Sequence, residues 1–335
     1  MKKAVLLLNL GSPRSCKTDD VRVFLREFLG DPCVLDMNPV LRWLLLNCII
    51  LPRRPAHSAK AYKQIWTPEG SPLLAHTERL RVALQALLSE DVPVFAGMRY
   101  GEPSTAAAIR AAMESGAEEV VVLPQYPHYA MSSHGTAVAL AKRLFEELAP
   151  RMRVRIQEPF YDAPGYIEAL VESARPWLQQ PFDKLLFSFH GIPLRHLRRE
   201  IPNYPDCAEA LDCNADAPPE IRARDYRHQC FATAEAFAAA AGLPREKFTV
   251  AFQSRLGRTA WVRPYTDETL RRLAQSGTRR LLVICPAFTA DCLETIHEIN
   301  IEGRETFLEA GGESFEQIPC LNSHPAYVRF LAGEV

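Results

Sequence analysis

The stretch KLLFSFHGIP, residues 184–193, sets the expectation for the fold. Four of its first six residues are apolar, as is typical of a strand buried on both faces of a parallel sheet. Gly191 and Pro193 then end the run and leave His190 at its carboxyl end. Similar short apolar runs recur at residues 4–10, 92–97, 119–124, 154–158, 248–253 and 280–286.

Helical patterns lie between these runs, at residues 104–115, 136–148, 166–174, 233–241 and 267–275. Because strands alternate with helices, the sequence predicts parallel sheets with right-handed crossovers. The runs fall into two groups that join near Pro150. We therefore expect an α/β chain with two small doubly wound sheets facing across a cleft, where ligands bind beyond the carboxyl ends of the strands.

Three segments fit this alternation less simply. Residues 40–55 predict an apolar helix that runs into a loop of proline and arginine. Residues 201–226 predict a long polar loop, a kind of segment that is usually functional or disordered. Residues 303–331 predict a helix, a short strand and a last helix.

The composition is that of a soluble globular protein, because 47% of the 335 residues are hydrophobic and 24% are charged. The net charge of -1 gives no global field that would attract nucleic acid or an anionic membrane. No apolar run approaches the roughly 18 residues that a transmembrane helix needs. Nine scattered cysteines without a recognisable export signal predict no disulfide framework and a cytoplasmic location.

Polar and aromatic side chains follow several of the predicted strands, at residues 9–13, 97–101 and 124–129. Tyr100, Tyr126 and Tyr129 suit a flat aromatic ligand, although each would also suit the edge of a core. No GxGxxG or GxxxxGK[ST] pattern is present, so nucleotide binding is weakly supported.

Two further features point to metal or proton chemistry. The imidazole of His190 titrates near neutral pH, so it can accept a proton or bind a metal. Asp291, Glu294 and Glu298 are spaced i, i+3 and i+7, so they share one face of a helix predicted to begin near Thr289. The helix dipole alone explains acids near its start, but three acids in line also form a path for a divalent cation.

These segments together resemble the ferrochelatase family, in order and over nearly the whole chain. In the first half the resemblance lies in LLNLG (7–11), AYKQIW (61–66), GSPL (70–73), MRY (98–100) and QYP (125–127). In the second half it lies in FSFHGIP (187–193), FQSRLG (252–257) with Trp261, FTADCLET (288–295) and Leu321-Asn322.

The resemblance implies a chelatase fold of two Rossmann-like domains, each a parallel four-stranded sheet flanked by helices, with the active site in the cleft between them. It implies domains at residues 1–150 and 151–304, with a C-terminal helix at about 305–335 packing back on the first. The second domain would carry the catalytic histidine and the acidic helix.

The implied activity is the insertion of Fe2+ into protoporphyrin IX in the terminal step of haem biosynthesis, with coproporphyrin III as the alternative substrate. His190 and Glu294 would be catalytic, and both would contact the metal together with Asp291 and Glu298. His190 would accept pyrrole protons. The residues that resemble porphyrin-binding positions are Tyr62, Arg99, Tyr100, Tyr126, Trp261 and Phe288.

The loop after His190 carries a cysteine pattern of its own. Cys207, Cys213 and Cys230 are spaced C-x5-C-x16-C, which matches no zinc ribbon. Some ferrochelatases carry a [2Fe-2S] cluster, which usually needs four thiolates. The fourth would come from Cys292, Cys320 or Cys285, and zinc or unligated thiols are the alternatives.

The expected partners are the porphyrin and Fe2+, with no nucleic acid, and the oligomeric state is not predicted. The apolar residues 38–51 beside Arg53 and Arg54 suit either a peripheral contact with the inner face of the membrane or ordinary core packing. The two arginines would meet porphyrin propionates or lipid, or remain solvated. A porphyrin carrier without catalysis is the competing class, and it would need neither His190 nor Glu294.

Overall fold

The computed structural model describes residues 2–207, 209–255, 257 and 259–335, so Leu256 of the FQSRLG segment lies outside the described residues. Contacts along the chain divide it into two units. The first unit contains the residues up to Tyr126, then Met131–Glu158 and Leu331–Val335. The second contains Pro127–Ala130 and Pro159–Phe330.

The first unit is built on a parallel sheet with the strand order β2-β1-β3-β4. Its central strand β1 is buried along nearly all of its length, and Leu6 lies opposite both Phe95 and Val122. This burial explains why the strand is a continuous apolar run. The strands are β1 (Lys3–Asn9), β2 (Val94–Met98), β3 (Glu119–Pro124) and β4 (Arg153–Ile156).

Helices cover this sheet, and the predicted start of one of them is confirmed. The hydroxyl of Ser104 accepts a hydrogen bond from the amide of Ala107 at 3.3 Å and so caps the helix that follows. Ile109 and Phe145 pack from two of these helices into a core with Leu6. The helices are α1 (Thr18–Gly30), α2 (Pro39–Leu44), α3 (Leu51–Ile65), α4 (Pro72–Leu87), α5 (Thr105–Glu114) and α6 (Thr136–Leu148).

The second unit repeats this strand order as β6-β5-β7-β8, again parallel throughout. Its strands are β5 (Lys184–His190), β6 (Phe248–Gln253), β7 (Arg280–Ile284) and β8 (Ser314–Gln317). The prediction of two parallel four-stranded sheets flanked by helices is therefore confirmed, while the cleft stays a prediction. The helices are α7 (Pro164–Leu178), α8 (Leu194–Glu200), α9 (Pro219–Arg222), α10 (Tyr226–Ala241), α11 (Thr266–Gln275), α12 (Arg304–Glu309) and α13 (Pro325–Gly333).

The unit boundaries differ from the predicted domains 1–150 and 151–304. Strand β4 lies beyond residue 150 but pairs with β3, so the first unit extends to Glu158. The C-terminal segment predicted to pack on the first domain belongs mostly to the second unit, because β8 pairs with β7. Only Leu331–Val335 returns to the first unit, where the carbonyl of Val335 accepts a hydrogen bond from Lys3 at 2.8 Å.

The predicted loop of proline and arginine after residue 50 is wrong, because the chain stays helical from Pro39 to Ile65. A π-helical segment, Leu45–Ile50, joins α2 to α3. Pro55 lies inside α3 and has no amide hydrogen for the carbonyl of Leu51 four residues earlier. A guanidinium nitrogen of Arg22 donates to that carbonyl instead, so the helix tolerates the proline.

The loop predicted at residues 201–226 is held by buried polar contacts. Arg227 is 1% exposed and its guanidinium donates to the carbonyls of Leu211 at 2.7 Å and Glu209 at 2.6 Å. Asp225 caps α10 by accepting hydrogen bonds from the amides of Arg227 and His228. This cap explains why the helix begins seven residues before its predicted start at residue 233.

Candidate active site

The polar residues of the second unit lie where its strand order reverses. Strands β5 and β7 are neighbours at the centre of the sheet, and the chain leaves them toward opposite neighbours β6 and β8. Doubly wound sheets bind their ligands at the carboxyl ends of such strands. His190 is the last residue of β5, and the segment after β7 leads to a π-helix, Glu294–Gly303, that carries Glu294 and Glu298.

The imidazole of His190 is set up as a neutral base. Its Nδ1 lies 2.6 Å from the carbonyl oxygen of Gly191, which can only accept, so Nδ1 carries the hydrogen and Nε2 keeps a lone pair. Burial lowers the pKa of His190, and the charge of Glu294 and the Gly191 carbonyl offset only part of that effect. At neutral pH the ring is therefore unprotonated at Nε2 and able to accept a proton.

The backbone around His190 is fixed on both sides. The hydroxyl of Tyr226 donates to the His190 carbonyl at 2.7 Å. The amide of Gly191 donates to the carbonyl of Gln253 at 2.8 Å, and a Cβ at Gly191 would lie only 2.8 Å from that same oxygen. Any larger residue would push the two strand ends apart, so the glycine keeps the histidine at the strand edge.

Glu294 stands at the first turn of the π-helix and is half-buried. The side-chain amide of Gln253 donates to the Glu294 carbonyl at 3.0 Å, and Ser188 donates to the oxygen of Gln253 at 2.7 Å. Strand β6 thus supports the start of this helix. The ring of Phe288 lies 6.2 Å from the ring of His190, measured between centroids.

Glu298 lies one helical turn further and has an unusual proton affinity. Burial raises its pKa to about 7, together with the charges of Glu294 and Glu302, although hydrogen bonds from Ser254 oppose the rise. The amide of Ser254 donates to one carboxylate oxygen at 2.6 Å and its hydroxyl donates to the other. Ser254 has a φ of 68°, a strained conformation for a residue with a side chain, and these bonds hold it there.

The predicted single acidic face is not present, because the helical backbone begins at Leu293 rather than near Thr289. Asp291 therefore precedes the helix, and its carboxylate is 7% exposed and accepts hydrogen bonds from protein donors. Within the described residues, no three His, Cys, Asp or Glu side chains are grouped as a metal site.

The residues predicted to bind porphyrin fall in both units. In the second unit, Trp261 pairs through its backbone with Pro193, next to the His190 segment, and Phe288 is half-buried near the histidine. In the first unit, Tyr62 is buried on α3, with its ring edge-on to Trp66 at 6.1 Å. The other first-unit positions are Arg99, Tyr100 and Tyr126.

Arg99 and Tyr100 belong to a buried network that the sequence does not reveal. One carboxylate oxygen of Asp31 accepts hydrogen bonds from the guanidinium of Arg99, from the hydroxyl of Tyr100 at 2.8 Å and from Thr136 at 2.6 Å. Burial alone would raise the pKa of Asp31, but hydrogen bonds from Thr136, Cys33 and Tyr100 and the charge of Arg99 hold it below its usual value. Asp31 therefore fixes the guanidinium of Arg99.

Two polar atoms at the carboxyl edge of the first sheet lack partners. The hydroxyls of Ser12, after β1, and Tyr126, after β3, are buried without a hydrogen bond to any described residue. A buried polar atom without a partner costs about 1–3 kcal/mol. A bound ligand would satisfy both atoms, and they flank the point where this strand order reverses.

The structure joins two of the predicted cluster cysteines, and within the described residues it groups no three of them as a metal site. The sulfur atoms of Cys207 and Cys213 are bonded to each other. Cys230 is fully buried on α10, and Cys292 and Cys320 lie near Asp291. Burial raises the pKa of the Cys230, Cys292 and Cys320 thiols.

Comparison with known proteins identifies the family. The family model described as Ferrochelatase matches residues 2–335. A ferrochelatase of Opitutus terrae is 48% identical over 334 residues, which is 99% of this chain and 96% of that protein. A ferrochelatase of Azotobacter vinelandii is 49% identical over 329 residues, covering 98% of this chain and 97% of that one.

Solved structures agree on the fold. SirB from Bacillus subtilis with Fe3+ matches with a TM-score of 0.55 at 12% identity, covering 100% of this chain and 94% of that one. The sirohydrochlorin chelatase SirB of Bacillus subtilis subspecies spizizenii, in complex with cobalt, matches with a TM-score of 0.56. The family match over the whole chain, with the predicted ferrochelatase segments in order, gives one conclusion: the chain belongs to the ferrochelatase family and is an enzyme that inserts metal into a porphyrin.

Proposed function

We propose that this enzyme inserts Fe2+ into protoporphyrin IX, as the terminal step of haem biosynthesis in the cytoplasm, with His190 as the base. The observation that supports the proposal is the state of His190: a neutral ring with Nδ1–H donated to a backbone carbonyl and a free lone pair on Nε2. Metallation replaces two pyrrole protons with one Fe2+, so a base on one face of the ring must remove protons as the ion enters.

Glu294 and Glu298 supply the acidic partners in this proposal. Carboxylate oxygens suit a hard or borderline divalent ion such as Fe2+, so Glu294 guides the iron, which is a substrate here. Glu298 has a pKa of about 7, so it gains and loses protons readily at neutral pH and carries protons away from the ring site.

The first unit would hold the porphyrin. The unpartnered hydroxyls of Ser12 and Tyr126 are available to polar groups of the ligand. Tyr62 would contact the macrocycle, and Arg99 would meet a propionate with the nitrogen that Asp31 and Thr136 leave unused. Tyr100 is buried with its hydroxyl on Asp31, so it would act through this network. Trp261 and Phe288 are the porphyrin contacts that we propose near His190.

The proposal is tested by following porphyrin fluorescence after Fe2+ or Zn2+ is added under anaerobic conditions, with protoporphyrin IX and coproporphyrin III in parallel. We expect kcat/KM to be at least about tenfold higher for protoporphyrin IX, a difference of about 1.4 kcal/mol in transition-state binding. A preference for coproporphyrin III would reverse the substrate assignment. No fluorescence loss with either porphyrin would reject the activity.

The [2Fe-2S] prediction does not fit the residues as the structure arranges them. Two of the loop cysteines are bonded to each other and the third is buried in α10. Support for a cluster is therefore confined to the sequence spacing, and no step of the proposed reaction uses one. If anaerobically purified protein showed the visible charge-transfer absorbance of an iron–sulfur centre, the cluster assignment would be re-established.

We also propose that a surface of the first unit docks on anionic lipid. Five large apolar side chains there are 43–66% exposed: Val40, Leu41, Trp43, Leu44 and Ile49. Segment 38–65 contains five arginines and lysines and no acidic residue, in a chain whose net charge is -1. Apolar side chains beside basic ones are typical of peripheral membrane surfaces. Among the described residues, no helix is long and apolar enough to cross a bilayer.

Flotation with vesicles that contain anionic lipid tests this surface. We expect the wild-type protein to float and the double variant Leu41→Ser, Leu44→Ser to lose at least about tenfold in vesicle affinity, because two exposed leucines no longer enter the lipid. Leu87→Ser is the matched control, since Leu87 is 52% exposed elsewhere on this unit. Absence of wild-type flotation, or an equal effect of the control, contradicts the proposal.

A further inference from the structure

The side chain of Asn322 pairs with Asp291 at two points. Its oxygen accepts a hydrogen bond from the Asp291 amide at 2.9 Å, and its nitrogen donates to the Asp291 carboxylate at 2.7 Å. The backbone amide of Asn322 also donates to the carbonyl of Thr289 at 2.7 Å. Three bonds thus tie the turn before α13 to the segment that leads into the π-helix.

Protein donors point at both oxygens of the Asp291 carboxylate. The Thr295 hydroxyl donates to one oxygen at 3.0 Å, and the Cys320 amide lies 3.3 and 3.4 Å from the two oxygens. Asp291 is 7% exposed. A metal ligand must offer a lone pair to the ion, but here hydrogen atoms already point at both oxygens.

These contacts decide where Glu294 stands. The residues just before the helix are irregular, and the helical backbone begins at Leu293. Thr295 lies in the first helical turn, donates to Asp291 and accepts a hydrogen bond from the amide of Cys292 at 3.0 Å. The Asp291 side chain therefore holds the first helical turn through the hydroxyl of Thr295.

An asparagine at position 322 suits the bridge between the Asp291 amide and the Asp291 carboxylate. Residue 322 has a φ of 49°, in the left-handed region that asparagine tolerates better than most residues. A side-chain amide offers one acceptor and one donor, which the Asp291 amide and carboxylate require. A carboxylate at 322 would face the carboxylate of Asp291. An apolar residue would leave the Asp291 amide without this acceptor and remove one of the donors to the carboxylate.

We propose that Asn322 and Asp291 form a latch that positions Glu294 for metal insertion, and that Asp291 acts through this latch rather than as an iron ligand. Both are positioning residues. The expected effect on the rate of metal insertion rests on the proposed function. The hydrogen bonds between Asn322 and Asp291 do not.

The test compares D291N, N322D and the exchange variant that carries both. N322D sets two carboxylates against each other, and D291N puts an amide nitrogen where a carboxylate oxygen accepted hydrogen bonds. We therefore expect kcat for Zn2+ insertion to fall at least about tenfold, with KM for porphyrin changed less than about twofold. In the exchange variant, the amide introduced at 291 donates to the carboxylate introduced at 322, and the amide of residue 291 keeps its acceptor. We expect kcat to return to within about threefold of wild type.

A metal-ligand role for Asp291 predicts the opposite, because the exchange leaves residue 291 without a charge. An exchange variant as inactive as D291N, whether folded or not, overturns the latch, as does a loss of Zn2+ affinity in D291N measured calorimetrically without porphyrin. Thermal unfolding of the wild type, D291N, N322D and the exchange variant gives the coupling free energy between residues 291 and 322, and this measurement does not depend on enzyme activity. That coupling separates failure of the latch from failure of the proposed function.

Discussion

Replacing His190 with alanine is expected to lower kcat for porphyrin metallation by about 100- to 10,000-fold, the range of general-base catalysis. The physical reason is the loss of the Nε2 lone pair, which the Nδ1–H bond to Gly191 keeps free in the wild-type enzyme. The measurement is the rate of porphyrin fluorescence loss with Zn2+ at saturating porphyrin. Porphyrin affinity, measured by fluorescence quenching without metal, should change little.

The matched control is His57→Ala, since His57 is exposed on α3 of the first unit and has no part in the proposed reaction. An unchanged rate in His190→Ala would remove the base assignment. Loss of porphyrin affinity with no change in the rate of bound complexes would assign His190 to binding instead.

Replacing Asp31 with asparagine is expected to destabilise the first unit by about 3 kcal/mol or more, because a buried ion pair loses one partner and Arg99 keeps its charge. The Arg99 side chain is 16% exposed and that of Asp31 is 4% exposed, so water cannot replace the lost contact. Amide hydrogen exchange of β1 and β3 measures the effect within this unit. We also expect weaker porphyrin binding, because the guanidinium is no longer held in place.

The difference in stability between the wild type and D31N should decrease as the pH is lowered. The pKa of Asp31 in the folded protein is held below its usual value of 3.8. The stabilisation is therefore fully present above about pH 4 and is lost as the pH falls through the folded pKa. Wild type and D31N should converge in acid. A constant difference down to strongly acidic pH would show that the charge of Asp31 is not its cause.

An exposed ion pair supplies the control for this variant. Arg79 and Glu69 lie 2.7 Å apart, with side chains 51% and 57% exposed. Glu69→Gln should cost less than about 1 kcal/mol, because solvent screens such pairs. An equal effect of the two substitutions would contradict the role assigned to the buried network.

The sequence predicts the strands well, because burial on both faces leaves a plain signal. Strands β3, β5 and β6 have the predicted bounds. The ends of β1, β2, β4 and β7 lie within two residues of the predicted ones. The short β4 shows the limit of such predictions. Its residues are partly exposed, and only its pairing with β3 places it in the first unit.

The candidate catalytic residues were predictable because chemistry and strand position coincide in them. His190 stands at the end of an apolar strand, so its residue type and its place both signal function. Their supporting partners carry no such signal. Asp31 lies 68 residues from Arg99 in the chain, and Asn322 lies 31 residues from Asp291. A hydrogen bond between distant residues depends on tertiary packing, which no local pattern records.

The helix around Pro55 illustrates the same limit. Proline in a helix interior normally breaks it, because a carbonyl loses its donor. Here that donor comes from Arg22 on another helix. The local sequence correctly shows that Pro55 conflicts with a helix. The hydrogen bond from Arg22 that replaces the missing donor comes from a residue 29 positions away from Leu51.

In the first sheet, β1 to β4 pair only with one another among the described residues, and this affects how the protein can fold during its synthesis. All four of its strands lie within residues 3–156, so they are all synthesised before β5, the first strand of the second sheet. At roughly 5–20 residues per second, the first sheet has many seconds to assemble before the second is complete. The bond between Lys3 and Val335 joins residues that are 332 positions apart, so it forms only after Val335 has left the ribosome.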